Sequence, residues 1–191
     1  MSQIKICKKI KSFDKTLIIE GDKSLSIRWA LLSSQSNTKS KSYNLLLSED
    51  VISTLNCLRK LGVKVKISKG CCEISGVGLN GFKYKKGLIL NARNSGTLGR
   101  LIMGLLVHSK KEIIIKGDKS LSKRDFSRVA SPLKKFGARI STNSGKLPIK
   151  IRGTNCATPI RYIETRGSAQ CKSSVMLAAL NTKGETIIKA K

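Results

Sequence analysis

The sequence is 191 residues long, and its apolar residues (40%) include few aromatics (4%), so we expect a core built mainly from Ile, Leu and Val. No stretch approaches the roughly 20 consecutive apolar residues of a membrane helix, and six cysteines without a C-x-x-C pair, with a single histidine, argue against a zinc site. We expect no disulfides, because no secretory leader is visible. The net charge of +27 comes from basic residues scattered along the whole chain, which favours a solvated basic surface over a nucleic-acid-binding arm.

The first predicted unit covers about residues 17–76 and combines two helices with four strands. Apolar runs predict the strands, apolar residues on one face predict the helices, and Gly62 is typical of a helix end before a strand. In chain order the predicted elements are a strand at 17–19, a helix at 26–34, a strand at 43–47, a helix at 51–60, and two strands near 63–65 and 72–75.

A second unit, about residues 88–153, repeats this order, and a third unit begins near residue 160. The similarity is most evident between Leu58–Val65 and Leu133–Ile140, where a helix end, a glycine and a strand follow one another. After a first strand from 88, the predicted elements are a helix at 98–107, a strand at 112–115, a helix at 129–136, strands near 138–140 and 147–152, and, in the third unit, a helix at 173–180 and a strand at 186–188.

The repeated order of strand, helix, strand, helix, strand, strand predicts an α+β fold made of βαβαββ units. The third unit reaches only its first helix and second strand before Lys191, so its strand at 186–188 would lack the second helix that covers it. Because an uncovered strand edge is an aggregation hazard, we expect the sequence to be part of a longer polypeptide or to be completed by a partner chain. The alternative is that this last strand closes a sheet.

The hexapeptide Gly-Asp-Lys-Ser-Leu-Ser occurs twice, at Gly21–Ser26 and at Gly117–Ser122. Each copy follows an apolar run and precedes an arginine, Arg28 or Arg124. A strand followed by a glycine turn and cationic side chains presents backbone N–H groups and positive charge to an anion. The repetition suggests a duplicated unit that holds a multiply charged small molecule.

Three polar clusters lie where the first strand of each unit turns into its first helix, at 21–28, 91–100 and 166–173. Each combines small residues, hydroxyl groups and a cation at a helix N-terminus, where unpaired N–H groups and the helix dipole favour phosphate or carboxylate. Taken singly, such clusters could be helix caps or solvated residues, but their agreement with one repeat favours a shared anion pocket. Neither a Walker A loop nor G-x-G-x-x-G occurs, so a nucleoside triphosphate or dinucleotide is not indicated.

Specific motifs carry a family resemblance. Gly-Asp-Lys-Ser-x-Ser-x-Arg begins at Gly21, Asn-Ser-Gly-Thr-x-x-Arg at Asn94, and Gly-Asp-x-Ser-x-x-x-Arg at Gly117. A Leu-Pro segment ending in Arg-Gly at 147–153 and Ser-Ala-Gln-x-Lys-Ser from Ser168 follow in this order. Together, from about residue 17 to 191, they resemble the N-terminal half of the 5-enolpyruvylshikimate-3-phosphate (EPSP) synthase family.

The resemblance implies a transferase of the shikimate pathway that moves the enolpyruvyl group of phosphoenolpyruvate to the 5-hydroxyl of shikimate 3-phosphate. It implies two lobes of βαβαββ units, of the inside-out α/β barrel type. Residues 1–14 would then belong to the other, mostly absent lobe, and residues 15–191 to the substrate-binding lobe. No cofactor, metal, membrane or nucleic acid is implied, and we expect a cytoplasmic and, when complete, monomeric enzyme.

The resemblance also implies residue roles. Lys23 would be the catalytic residue that contacts both substrates, and Ala169 stands where the family often has a second serine. The residues implied to bind shikimate 3-phosphate are Lys23, Ser24, Arg28, Ser168, Ala169 and Gln170. Those implied to bind phosphoenolpyruvate are Lys23, Asn94, Gly96, Thr97, Arg100, Arg124 and Gln170.

The family's acid and base carboxylates lie in its other half, so we expect this chain alone to bind shikimate 3-phosphate weakly and not to turn over. Two alternatives stay open. The sister transferase that acts on UDP-N-acetylglucosamine shares the fold, but it would carry a Lys-Asn pair in the first motif and a catalytic cysteine in its loop. A basic nucleic-acid-binding module on a related fold would need aromatic stacking positions, which are few here.

Overall fold

The computed structural model describes Asp14, Thr16 and residues 19–190. Most of the predicted strand at 17–19 and of the segment 1–14 therefore lies outside the described residues. The elements are α1 (Lys23–Ser33), β1 (Lys39–Tyr43), α2 (Glu49–Lys60), β2 (Lys64–Ser68), β3 (Cys71–Ser75), β4 (Leu88–Asn91), α3 (Gly96–Leu105), β5 (Ile113–Lys116), α4 (Ser127–Lys135), β6 (Arg139–Asn143), β7 (Lys146–Arg152), β8 (Arg161–Glu164), α5 (Ala169–Ala179) and β9 (Ile187–Ala190), with short 3₁₀ turns at Leu106–His108 and Leu121–Lys123.

The sheets repeat one topology. In the second unit the strand order is β4-β5-β7-β6, with β4 parallel to β5 and with β7 antiparallel to both β5 and β6. The first unit has the equivalent antiparallel set in the order β1-β3-β2, and the third unit has the equivalent parallel pair β8-β9. This mixture of helices and sheets confirms the α+β class.

Equivalent glycines close the first two units by the same backbone contacts. The N–H of Gly76 donates to Thr38, just before β1, and the N–H of Gly153 donates to Ser109, before β5. A Cβ at Gly76 would collide with the carbonyl oxygen of Ser36, and one at Gly153 would collide with Val107. The matching contacts explain why both units end in glycine.

Helix α3 lies at the centre of the fold. Nine of its ten residues are buried, and it packs against α1, α2, α4 and α5. Gly104 lets α5 approach closely, because a Cβ there would collide with the carbonyl oxygen of Ser174. The Ser174 hydroxyl also donates to the carbonyl oxygen of Arg100, at 2.9 Å. Among the helices in the described ranges, none is long and apolar enough to cross a membrane.

Several element boundaries differ from the predictions. Helices α1, α3 and α5 begin two to four residues earlier than predicted, because Asp22, Ser95 and Ser168 cap them by accepting an N–H from the first turn. The second strand of the first unit is Lys39–Tyr43, not 43–47, because Asn44 takes a left-handed conformation (φ 58°) that ends it.

The repeated hexapeptide does not mark equivalent positions of the repeat. Gly21–Ser26 leads into the first helix of its unit and includes the first turn of α1, whereas Gly117–Ser122 lies in the connection from the second strand, β5, to the second helix, α4. What the copies share is a local turn: Asp22 accepts the N–H of Leu25, and Asp118 accepts that of Leu121, each at 2.7 Å. The structural repeat is carried by the strand topology instead.

Candidate functional site

Gln170 connects the N-termini of α3 and α5. Its side-chain oxygen accepts from Arg100 at 2.8 Å, and its nitrogen donates to the hydroxyl of Thr97 at 3.0 Å. These residues come from two units that are separated by about 70 positions in the chain. The structure therefore brings three of the predicted site residues into direct contact.

Two guanidinium groups converge on Gly96, the first residue of α3. A Cβ built there would lie 3.0 Å from Nη1 of Arg100 and 3.2 Å from Nη1 of Arg124. Any side chain at this position would enter the space between the two cations. The preceding residue, Ser95, is fully buried and caps α3 by accepting the N–H of Leu98 at 3.2 Å.

Arg124 reaches this point from the connection between β5 and α4. Arg124 directly follows the 3₁₀ turn at Leu121–Lys123, whose first N–H donates to Asp118. The Nη2 of Arg124 donates to the side-chain oxygen of Asn94 at 3.1 Å. Because Arg124 and Asn94 are exposed, the remaining N–H groups of the guanidinium are available to a bound anion.

Arg100 is the buried cation of the site, with 6% of its surface exposed. It donates to the carbonyl oxygen of Asp125 at 3.0 Å and lies 4.9 Å from the ring centre of Phe126. Burial lowers the pKa of its guanidinium, and the neighbouring Arg128 and Arg124 lower this pKa further. Within the described ranges, no carboxylate lies within 4 Å of any of these arginines. Concentrated positive charge of this kind favours a bound anion.

Helix α1 joins the site through Arg28. Its Nη2 donates to the hydroxyl of Ser173 on α5, and its Nη1 to the carbonyl oxygen of Ser24, both at 3.2 Å. Lys23, at the start of α1, forms an ion pair with Asp50 at 3.4 Å. The predicted residues on α1 are thus linked to α5, while Lys23 points to the first turn of α2.

The N-terminus of α5 carries the third cluster. The side chain of Ser168 accepts the N–H of Cys171 at 3.3 Å, and Ala169 is the first helical residue. Just before this turn lies Glu164, with 3% of its surface exposed. Burial raises the pKa of Glu164, but hydrogen bonds from Tyr162 and from the backbone N–H groups of Arg166 and Ser168 outweigh this and lower it overall.

Sequence reasoning missed Asp50, Arg128 and Glu164. None of these three residues was predicted to belong to the site. Their sequence signal is weak because each owes its position to contacts with another element. Within the described ranges, no group of three or more His, Cys, Asp or Glu residues could hold a metal ion.

Comparisons with known proteins identify the family. The family model of EPSP synthase (3-phosphoshikimate 1-carboxyvinyltransferase) matches residues 7–191. A 3-phosphoshikimate 1-carboxyvinyltransferase of Ruthia magnifica subsp. Calyptogena magnifica is 45% identical over 96% of this chain, and one of Streptococcus agalactiae is 41% identical over 92%. The chain spans 42% of the length of each. A structure of EPSP synthase from Acinetobacter baumannii matches with a TM-score of 0.84 and 35% identity, over 90% of this chain and 39% of that one. The chain therefore belongs to the EPSP synthase family.

Proposed function

We propose that this chain supplies one substrate-binding lobe for transfer of the enolpyruvyl group of phosphoenolpyruvate to the 5-hydroxyl of shikimate 3-phosphate, with release of phosphate. The observation that carries the proposal is the convergence of Arg100 and Arg124 on Gly96, with Gln170 bridging α3 and α5. Both substrates are anions, and clustered cations reduce the repulsion between them.

Phosphoenolpyruvate would lie at the N-terminus of α3. Arg124 offers a planar pair of N–H groups to its carboxylate or phosphate, and Asn94 orients that guanidinium. Arg100 holds Gln170 through a hydrogen bond and adds a buried positive charge beside the ligand. Gly96 and Thr97 leave room for the ligand. Positive charge that develops on the central carbon of phosphoenolpyruvate during addition would be stabilised by a substrate phosphate group held nearby.

Shikimate 3-phosphate would lie at the N-termini of α1 and α5. The backbone N–H groups of Ala169 and Gln170 and the hydroxyl of Ser168 suit its phosphate, with Ser24 and Arg28 approaching from α1. Lys23 would exchange Asp50 for the two substrates, because the Lys23 side chain is 51% exposed and an exposed ion pair is weak in water.

We further propose that the lobe is of the inside-out barrel type. The supporting observations are the buried position of α3 between the other helices and the exposed outer residues of the sheets, as in β2 and β7. Residues 15–191 would form this lobe, with residues 1–14 belonging to the other one. The complete enzyme would work as a monomer in the cytoplasm.

The test is a calorimetric titration of the chain with shikimate 3-phosphate at about 0.15 M salt, where screening suppresses diffuse attraction. We expect Arg28→Ala to weaken binding at least tenfold, because a charged hydrogen bond contributes roughly 1.5–3 kcal/mol. Arg139→Ala removes the same charge from the exposed strand β6 and should change affinity less than twofold. If both variants lose the same affinity for shikimate 3-phosphate, the interaction is general charge attraction, and the proposed site is refuted.

A further inference from the structure

The turn between β8 and α5 is held by a buried carboxylate. Glu164, the last residue of β8, accepts the hydroxyl of Tyr162 on one oxygen and the backbone N–H of Arg166 on the other, the latter at 2.8 Å. The chain has only 11 acidic residues against 38 basic ones, and this one is almost fully buried. A buried carboxylate persists only where several donors compensate its desolvation.

The second unit contains the same device at the same position. Asn91, the last residue of β4, accepts the backbone N–H of Arg93, two residues on, at 2.9 Å. In both units the residue four positions after the strand end is a serine that caps the next helix, Ser95 or Ser168. A side-chain oxygen at the strand end thus sets the path of both turns that lead into the candidate site.

From this correspondence we propose that Glu164 is a positioning residue that fixes the turn carrying Ser168, Ala169 and Gln170 for anion binding. The inference rests on the proposed function of that turn. Thr165, Arg166 and Gly167 within it are exposed, and nothing lies within 4 Å of the Cβ position of Gly167, so little packing holds the turn in place. The hydrogen bonds to Glu164 supply that constraint, and they orient the N–H groups at the start of α5 before a ligand arrives.

Charge makes Glu164 different from Asn91. A carboxylate can accept from three donors at once, whereas an amide would present its NH₂ group to one of them. Glu164→Gln keeps one acceptor oxygen but removes the charge, so the hydrogen bonds that hold the turn become weaker, and the ligand must then order the turn as it binds.

The test compares Glu164→Gln with Glu185→Gln, a matched control that removes the same charge from an exposed loop. Shikimate 3-phosphate is titrated into both, and amide hydrogen exchange is recorded by NMR. We expect Glu164→Gln to weaken binding roughly tenfold and to speed exchange at Arg166 and Ser168, while Glu185→Gln stays within twofold of the unchanged chain. Adding Gln170→Ala should then cost less than it does alone, because both changes act on one turn.

Binding in Glu164→Gln equal to that in Glu185→Gln would overturn the inference. Strictly additive effects of Glu164→Gln and Gln170→Ala would also overturn it, since additivity means that the two residues act independently. If the unchanged chain does not bind shikimate 3-phosphate, the proposed function fails instead. The positioning role is then judged by exchange alone, and unaltered exchange at Arg166 and Ser168 would refute it.

Discussion

Replacing Gly96 by alanine should separate anion binding from folding. Gly96 begins α3 without an unusual φ, so alanine fits the backbone, and its higher helix propensity, set against the small shift of two guanidinium ends, should keep the free energy of unfolding within about 1 kcal/mol of the unchanged chain. Its methyl group, however, would lie 3.0 and 3.2 Å from the Nη1 atoms of Arg100 and Arg124. Ordinary contact with a methyl group needs about 3.4 Å or more, so both guanidinium ends must move by a few tenths of an ångström.

The loss of affinity follows from that displacement. An anion bound between the two arginines would lose the space occupied by the methyl group and at least one charge-assisted hydrogen bond. At roughly 1.5–3 kcal/mol for such a bond, the affinity for phosphoenolpyruvate, measured calorimetrically with saturating shikimate 3-phosphate, should fall about 10- to 150-fold. Thermal unfolding of the same preparation reports on stability.

Gly70→Ala provides the opposite control. Gly70 lies in the turn between β2 and β3 with a φ of 73° and open space around its Cβ position, so alanine there should cost about 1 kcal/mol of stability through backbone strain. Its affinity for phosphoenolpyruvate should be unchanged. If Gly96→Ala binds as tightly as Gly70→Ala, the space between the two arginines does not hold the anion.

Three further predictions concern stability and reactivity. Gly104→Ala should lower stability by about 2 kcal/mol or more in thermal unfolding, because its Cβ would collide with the backbone of Ser174. The pKa of Glu164 is lowered on folding, so its contribution to stability is present above the ordinary value of 4.5 and is lost as pH falls through the folded value. Denaturant midpoints of the unchanged chain and Glu164→Gln should therefore converge in acid, and a constant gap would contradict this. Burial raises the pKa of Cys57 to about 11, so iodoacetamide at pH 8 should label the exposed Cys156 before Cys57, as followed by mass spectrometry.

Local signals in the sequence were sufficient to place helices with a clear apolar pattern. Helices α2, α3 and α4 each begin two residues before the predicted positions, because apolar spacing marks the body of a helix and not its first turn. The strand β1 was misplaced because it consists of Lys, Ser and Tyr, whereas the apolar run 45–47 beside it lies in a loop. Pairing with β3, about 30 residues away, makes β1 a strand, and no local pattern reports that contact.

The candidate site shows the same limit. The motifs predicted which turns carry polar residues, but the bonds that join them, Arg28 to Ser173 and Arg100 to Gln170, link residues 145 and 70 positions apart. Glu164 had no local signature, since its role depends on burial. Sequence spacing predicts which turns of the repeat correspond to one another. Tertiary packing determines which residues of those turns are in contact.

The parallel strand pair β4-β5 explains which residues meet in the second unit. Parallel strands end at the same edge of a sheet, so the turn after the first strand faces the turn after the second. In the second unit this brings Asn94 to Arg124. In the first unit the starts of α1 and α2 bring Lys23 to Asp50. The second unit therefore presents a cation that stays available, whereas the cation of the first unit is held by a carboxylate. Because, among the residues that the structure describes, an anion must displace Asp50 from Lys23 but no carboxylate from Arg124, the turns of the second unit should engage their ligand with the smaller electrostatic cost.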